Sequence, residues 1–246
     1  MLALVSDNLR EHASALPAEI AEHLTFFRNT NLKRSLWFAA ELARIVEHLE
    51  RHQVRAIPYK GPLLAQVAYG DVALRNYNDL DFLIPPAEFA RAKAALAEIG
   101  YVPSVEISPA VERMWLRTGY ERSFDGAAGK YLVELQWAVL PYFYAVDWQA
   151  GELLPEDLLA RATRVDLCGA MVPCLSPEDS LIALCVHAAK HLWMRLIWIA
   201  DIARSLRVPG IDFGVYRAAS HVRFAYTIDM RKLEDGVHRL ARFLGR

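Results

Sequence analysis

The spacing of apolar positions divides the chain into a helical start, a middle with short strands and a helical end. Residues 31–52 carry apolar side chains three and four positions apart, which is typical of an amphipathic helix. A weaker helical pattern precedes them at residues 17–28. After the middle part, the pattern is helical again from the predicted N-cap Ser176 to about Leu206, with a break expected at residues 191–194.

The middle of the chain shows the shorter apolar runs and turn residues that predict strands. The predicted elements are a buried strand at residues 54–59, a helix of about two turns after Lys60-Gly61-Pro62, a loop at 70–78, a strand at 80–84, a helix at 86–100, and hairpins at 119–139 and 163–173. Helices and strands in this order predict an α+β fold. We expect N-terminal helices over residues 1–53, a sheet core over 54–174 and a helical C-terminal portion over 175–246.

Composition fits a folded protein with a large core. Hydrophobic residues make up 54% of the 246 positions and charged residues 23%. The formal net charge of −1 gives no overall basic field to attract nucleic acid, so nucleic acid is not an expected partner.

Cysteine usage and hydropathy indicate a cytoplasmic protein. The three cysteines are an odd number without CxxC spacing, which favours free thiols in a reducing compartment. The apolar run at the start is too short for a signal peptide. The most apolar window, residues 181–200, contains four groups that a bilayer would bury at high cost: His187, Lys190, His191 and Arg195. No membrane association is therefore expected.

Two aspartates at the start of an apolar strand are the main chemical signal. Asp79 and Asp81 are two residues apart, so on a strand both point to one face, while Leu80 points to the other. Adjacent carboxylates suit Mg²⁺, which takes oxygen ligands and shares its remaining positions with substrate phosphates. Glu134 stands alone among apolar residues of a predicted strand, where it would complete a metal site. The alternative is that the aspartates form surface salt bridges and Glu134 faces water.

These residues resemble a known family. The run K-G…R…D-L-D-F-L-I, followed by V-E-L-Q-W and by the apolar stretch from Cys174 to Ala203, is similar to the uncharacterised nucleotidyltransferase family of the DNA polymerase β-like superfamily. The resemblance covers about residues 30–207. It implies a mixed sheet and transfer of a nucleoside monophosphate from an NTP such as ATP, with Mg²⁺, or Mn²⁺ as an alternative.

The resemblance also implies roles for individual residues. Asp79, Asp81 and Glu134 would be metal ligands and catalytic residues, and Lys60, Gly61 and Arg75 would bind the phosphates. The wider superfamily has Gly-Ser or Gly-Gly where this chain has Lys60-Gly61, and the separation from this turn to the aspartates is longer than usual. The acceptor would be a small molecule, a peptide or a protein.

The stretch H-A-A-K-H, residues 187–191, allows three interpretations. In the first, its helix closes the cleft opposite the aspartates, and Lys190 and His191 bind the nucleotide. In the second, its histidines are satisfied core residues. In the third they bind zinc, although Ala188 stands where the HExxH motif has its glutamate.

Two further alternatives remain open at this point. The protein could be a catalytically weak family member that binds a nucleotide or a protein partner. The basic residues near the C-terminus predict a solvated helix face, with contacts to an anionic acceptor such as RNA as the lesser possibility. They are Arg217, Arg223, Arg231, Lys232, Arg239, Arg242 and Arg246.

Overall fold

The computed structural model describes residues 1–126, 132–139 and 153–211. The basic C-terminal residues discussed above lie outside this range, as does the tip of the first predicted hairpin. The α-helices are α1 Leu2–Asn8, α2 Ala18–Arg51, α3 Gly61–Leu64, α4 Phe89–Glu98, α5 Pro109–Thr118, α6 Pro155–Arg161, α7 Pro177–Lys190 and α8 Leu196–Ser205. The strands are β1 Ile57–Pro58, β2 Asp79–Leu83, β3 Val102–Pro103, β4 Glu121–Asp125, β5 Leu132–Gln136, β6 Thr163–Leu167 and β7 Ala170–Cys174.

Five of the strands form one mixed sheet, in the order β1-β2-β5-β4-β3. β2 and β5 are parallel and lie at its centre, and the other neighbours pair antiparallel. β6 and β7 form a separate hairpin. This confirms the predicted α+β class with a mixed sheet.

The two faces of the sheet have different coverings. Leu80 and Phe82 of β2 are fully buried in a core that also contains Phe38 of α2 and Leu96 of α4. Leu83 points to the opposite face, as residues of odd and even number must on a strand, and joins a cluster that contains Ala183 of α7. Asp79 and Asp81 share the face of Leu83, so α7 packs on the side of the sheet that carries the carboxylates.

Several local predictions agree with the structure. The Ser176 side chain caps α7 by accepting a hydrogen bond from the Asp179 amide. The expected helix break lies between α7 and α8, where Leu192 and Trp193 have positive φ angles. Both predicted hairpins are present as antiparallel strand pairs, β4–β5 and β6–β7.

Two predictions were wrong in extent. The helices expected at residues 17–28 and 31–52 are one continuous helix, α2, because nothing between them breaks the helical backbone and α2 gains its stability by packing on the sheet. The strand expected at residues 54–59 is reduced to Ile57–Pro58, since proline has no amide proton to extend the pairing. The proposed division into three parts at residues 53 and 174 stays a prediction.

Candidate active site

The three acids predicted from the sequence lie on neighbouring strands. Asp81 is the register partner of Glu134 in the parallel pair β2–β5, and Asp79 is the partner of Leu132. Register partners in a sheet point to the same side, and so do residues two apart on one strand. Asp79, Asp81 and Glu134 therefore share one face of the sheet, next to α7.

An amide side chain joins two of these acids. Nε2 of Gln136 donates to Oδ1 of Asp81 at 3.0 Å and to Oε2 of Glu134 at 3.1 Å. The Tyr59 hydroxyl in turn donates to Oε1 of Gln136. Gln136 is almost fully buried, and it fixes the carboxylates relative to each other. Sequence reasoning missed it, although a polar residue two positions after Glu134 on a buried strand was a signal.

The cation beside the aspartates is a lysine. Nζ of Lys60 lies 2.8 Å from Oδ1 of Asp81, and the two side chains are 9% and 2% exposed. Burial is the largest influence and disfavours the ammonium ion, but Asp81, Tyr59 and Glu134 together outweigh it and raise the pKa of Lys60. Lys60 therefore carries its charge inside the site and neutralises Asp81.

Gly61 allows the turn that places Lys60 beside Asp81. Its φ angle is +59°, in the left-handed region that favours glycine, and it begins α3. A Cβ atom at this position would lie 3.4 Å from the backbone oxygen of Asp79, at the lower limit of ordinary van der Waals contact. The turn thus brings the backbone of α3 against the start of β2.

The acids face more negative charge than Lys60 neutralises. Burial, followed by the neighbouring Asp81 and Glu121 carboxylates, raises the pKa of Glu134 to about 8. Burial and Asp81 also raise the pKa of Asp79. Such a group of oxygen ligands, short of positive charge, is suited to a divalent cation.

Glu121 is a fourth acid on this face and was not predicted. It is the register partner of Gln136 on β4, so it points to the same side as Glu134. Lys190 of α7 lies with its Nζ 3.4 Å from Oε2 of Glu121 and 4.2 Å from the centre of the Tyr120 ring. Lys190 therefore reaches the acidic face through Glu121.

Helix α7 meets the site mainly through His187. Its Nδ1 lies 3.4 Å from Nζ of Lys60. Burial and the Lys60 charge lower the pKa of His187 to about 2, so the ring is neutral and can accept a hydrogen bond from the ammonium group. His191 is exposed, one turn later, with its ring 4.8 Å from that of His187. The interpretation of both histidines as core residues is wrong, because His187 contacts Lys60 and His191 is exposed to solvent.

Arg75 forms an ion pair with Asp201, whereas its predicted role is to bind the substrate phosphates. Its Nε is 3.1 Å from both carboxylate oxygens of Asp201 in α8, and both side chains are buried. The Tyr69 hydroxyl also donates to Asp201, at 2.7 Å. The sequence did not indicate Asp201 as the partner of Arg75. Arg75 thus ties the loop before β2 to the C-terminal helices, and a role in phosphate binding stays a prediction.

The part of the chain that the structure describes contains no candidate for a membrane-spanning helix.

One group of three potential metal ligands in the described residues has its ligand atoms all within 4.8 Å of one another: His48, His52 and Glu98. The carboxylate oxygens of Asp79, Asp81 and Glu134 do not all lie within this distance of one another. This agrees with the position of the Lys60 ammonium group beside Asp81.

The fold is similar to that of a solved antibiotic-resistance factor. The solution structure of the antibiotic-resistance factor ANT(2'')-Ia superposes with a TM-score of 0.50 at 14% identity, over 72% of this chain and 86% of that one. The lincomycin-bound lincosamide antibiotic adenylyltransferase LnuA matches with a TM-score of 0.42 at 15% identity, over 71% of this chain and 96% of that one. No curated protein matches the chain in sequence.

Most of the sequence matches the model of one protein family. The model of the uncharacterised nucleotidyltransferase family matches residues 1–220. The chain belongs to this family, and it is therefore a transferase of the nucleotidyltransferase class. This confirms the resemblance that was seen in the sequence.

Proposed function

We propose that the protein transfers a nucleoside monophosphate from an NTP, such as ATP, to an acceptor hydroxyl or phosphate in a Mg²⁺-dependent reaction. The observation that carries this proposal is the pairing of Asp81 with Glu134 across two parallel strands, with Gln136 donating to both. Membership of the nucleotidyltransferase family supports the reaction class.

The donor set fits Mg²⁺, or Mn²⁺ in its place. Asp79, Asp81 and Glu134 offer carboxylate oxygens on one face, which are the ligands that hard divalent cations prefer. Lys60 and Gln136 both contact Oδ1 of Asp81, so a cation bound to this carboxylate would lie close to the Lys60 ammonium group. When bound, Mg²⁺ supplies the charge that neutralises the triphosphate during transfer.

The protein groups then position the reactants. Lys60 would move its ammonium group from Asp81 to the β- and γ-phosphates, where the positive charge balances that of the leaving pyrophosphate. The acceptor oxygen forms a bond to the α-phosphorus, and the bond from that phosphorus to the bridging oxygen of pyrophosphate breaks. Glu134 would take the acceptor proton. Lys190 and His191, at the end of α7, would bind the nucleotide or the acceptor at the edge of the cleft.

The Lys60–Asp81 ion pair also favours a second candidate, a nucleotide-binding module without turnover. A lysine that never leaves Asp81 would occupy the metal site permanently. The two candidates differ in one measurement, which is Mg²⁺-dependent release of pyrophosphate from each NTP in the presence of cell extract.

The experiment uses the purified protein with each labelled NTP, followed by analysis of label transferred to extract components. We expect pyrophosphate release and label transfer with wild-type protein and Mg²⁺, and neither with EDTA or with Asp81→Asn. Nucleotide binding without pyrophosphate release in any extract would establish the module instead. The acceptor class, whether small molecule, peptide or protein, follows from the fraction that carries the label.

A further inference from the structure

A cluster of nitrogen and oxygen ligands lies on the side of the sheet away from the acids. His48 lies in the last turn of α2, and His52, four residues later, is the C-cap of that helix, so the two rings lie on the same side of its end. Glu98 is the last residue of α4, which packs beside α2 on the core face of the sheet. The cluster is thus separate from the proposed active site.

The ligand atoms converge at distances that suit a tetrahedral cation. Oε2 of Glu98 lies 3.0 Å from Nε2 of His52 and 3.5 Å from Nε2 of His48. Two ligands of a tetrahedral Zn²⁺ ion, each about 2.0 Å from the metal, are about 3.3 Å apart. Both distances lie close to that value, and all three ligand atoms lie within 4.8 Å of one another, so a movement of the side chains would place a cation between them.

The orientation of the His52 ring suits a metal ligand. Its Nδ1 lies 3.0 Å from the backbone oxygen of His48 and donates to it. The other ring nitrogen, Nε2, faces the Glu98 carboxylate at 3.0 Å and is the atom that a cation would bind. A backbone carbonyl on the other ring nitrogen is also the usual partner of a metal-binding histidine.

His48 can become the third ligand at the cost of a hydrogen bond. Its Nε2 lies 2.9 Å from the backbone oxygen of Ala95, which it contacts through an N–H group when no metal is bound. Ligation by Nε2 requires the ring proton to be on Nδ1 instead, because a metal binds the lone pair of neutral imidazole. Metal binding here therefore replaces the hydrogen bond from His48 to Ala95.

We propose that His48, His52 and Glu98 form a binding site for Zn²⁺ or a similar transition-metal ion, which connects the end of α2 to the end of α4. Two histidines and a glutamate are a ligand set for Zn²⁺ and leave a coordination position for water. The bound ion would stabilise the helix pair that covers the core face of the sheet. This site is independent of the proposed nucleotidyl transfer.

The chain offers a matched control for this site. His23 also lies on α2, and its Nδ1 donates to the backbone oxygen four residues before it, at 2.9 Å, as that of His52 does. It is exposed and is not a member of the ligand group. His23→Ala therefore removes a surface histidine of the same local geometry without touching the site.

The experiment is a calorimetric titration of the metal-stripped full chain with Zn²⁺, in excess Mg²⁺ and with Cys168 replaced by serine, since that thiol is exposed. We expect one Zn²⁺ per chain and a higher thermal midpoint. His52→Ala and Glu98→Gln should each weaken binding at least about tenfold, and His23→Ala should not. Equal affinities in His52→Ala and His23→Ala, or binding that leaves the midpoint unchanged, would overturn the proposal and leave an ion pair of His52 with Glu98.

Discussion

Lys60 and Asp81 form an ion pair of 2.8 Å in which both side chains are almost completely buried. The two residues come from different elements, the turn before α3 and the middle of β2. The carboxylate that the sequence marks as a metal ligand thus has a cation of its own. This pair makes the stability of the protein and its proposed activity depend on the same two side chains.

The first prediction separates these two contributions. Asp81→Asn leaves the Lys60 ammonium ion buried without its counter-charge, and we expect a loss of about 3–5 kcal/mol in the free energy of unfolding. Adding Lys60→Met removes the unpaired charge, so the double variant should recover most of that stability. Pyrophosphate release should fall at least about a hundredfold in both variants, because both lack the charged carboxylate that would bind the metal. Activity in the double variant close to wild type would show that Asp81 is a structural partner of Lys60 only.

The second prediction concerns Lys60 as a phosphate-binding group. Lys60→Met keeps the apolar stem of the side chain and removes its charge. We expect NTP binding in the presence of Mg²⁺ to weaken by about 1–3 kcal/mol, the range for hydrogen bonds to charged groups. The stabilisation by Mg²⁺ alone should increase, because the ammonium group no longer competes for Asp81. An unchanged nucleotide affinity would restrict Lys60 to the role of counter-ion.

The third prediction tests Gln136 as the residue that orients the acids. Gln136→Met keeps the length of the side chain and removes both hydrogen bonds to the carboxylates. We expect the affinity for Mg²⁺ to fall about 10–100-fold, the range for residues that hold metal ligands in place. Tyr59→Phe removes only the hydrogen bond to Gln136 and should have a smaller effect in the same direction. Equal Mg²⁺ affinity in wild type and Gln136→Met would contradict this role.

The fourth prediction concerns the buried pair of Arg75 and Asp201. Asp201→Asn leaves Arg75 without its counter-charge, and we expect the free energy of unfolding to fall by about 3–5 kcal/mol. Glu50→Gln provides the comparison, because it breaks the exposed pair of Glu50 with Arg164, whose contribution is at most about 1 kcal/mol. Chemical denaturation of both variants measures the difference. Similar small losses in the two variants would mean that the Arg75–Asp201 pair does not hold the helices to the core.

The fifth prediction is a pH dependence of the metal-free protein. The pKa of Glu134 is raised from its ordinary value of 4.5 to about 8, chiefly by burial, so the folded state holds this proton more tightly than the unfolded state. Protonation of Glu134 therefore contributes stability at low pH, and this contribution is lost as the pH rises from 4.5 to about 8. Unfolding measured in EDTA should show a shallower decline in Glu134→Gln than in wild type. Parallel pH profiles would contradict the raised pKa.

Local patterns in the sequence were enough to predict much of the fold. The two-residue period around Asp79 and Asp81 predicted a strand with both acids on one face, and the structure has it. The cap at Ser176 and the glycine-containing hairpins were also readable, because they depend on neighbours in the chain. The extent of α2 could not be predicted from the sequence, because packing on the sheet sets the length of this helix.

The sequence by itself determined the acids, their common face and the family, because strand periodicity and motif spacing are local properties. The tertiary structure alone decided their partners. Lys60 was expected to bind a phosphate and forms an ion pair with Asp81. Arg75 forms an ion pair with Asp201. The residue of α7 that contacts Lys60 is His187. These contacts join residues that are 21 to 127 positions apart, and in a buried site each charge binds the opposite charge or hydrogen-bonding group that the fold brings nearest.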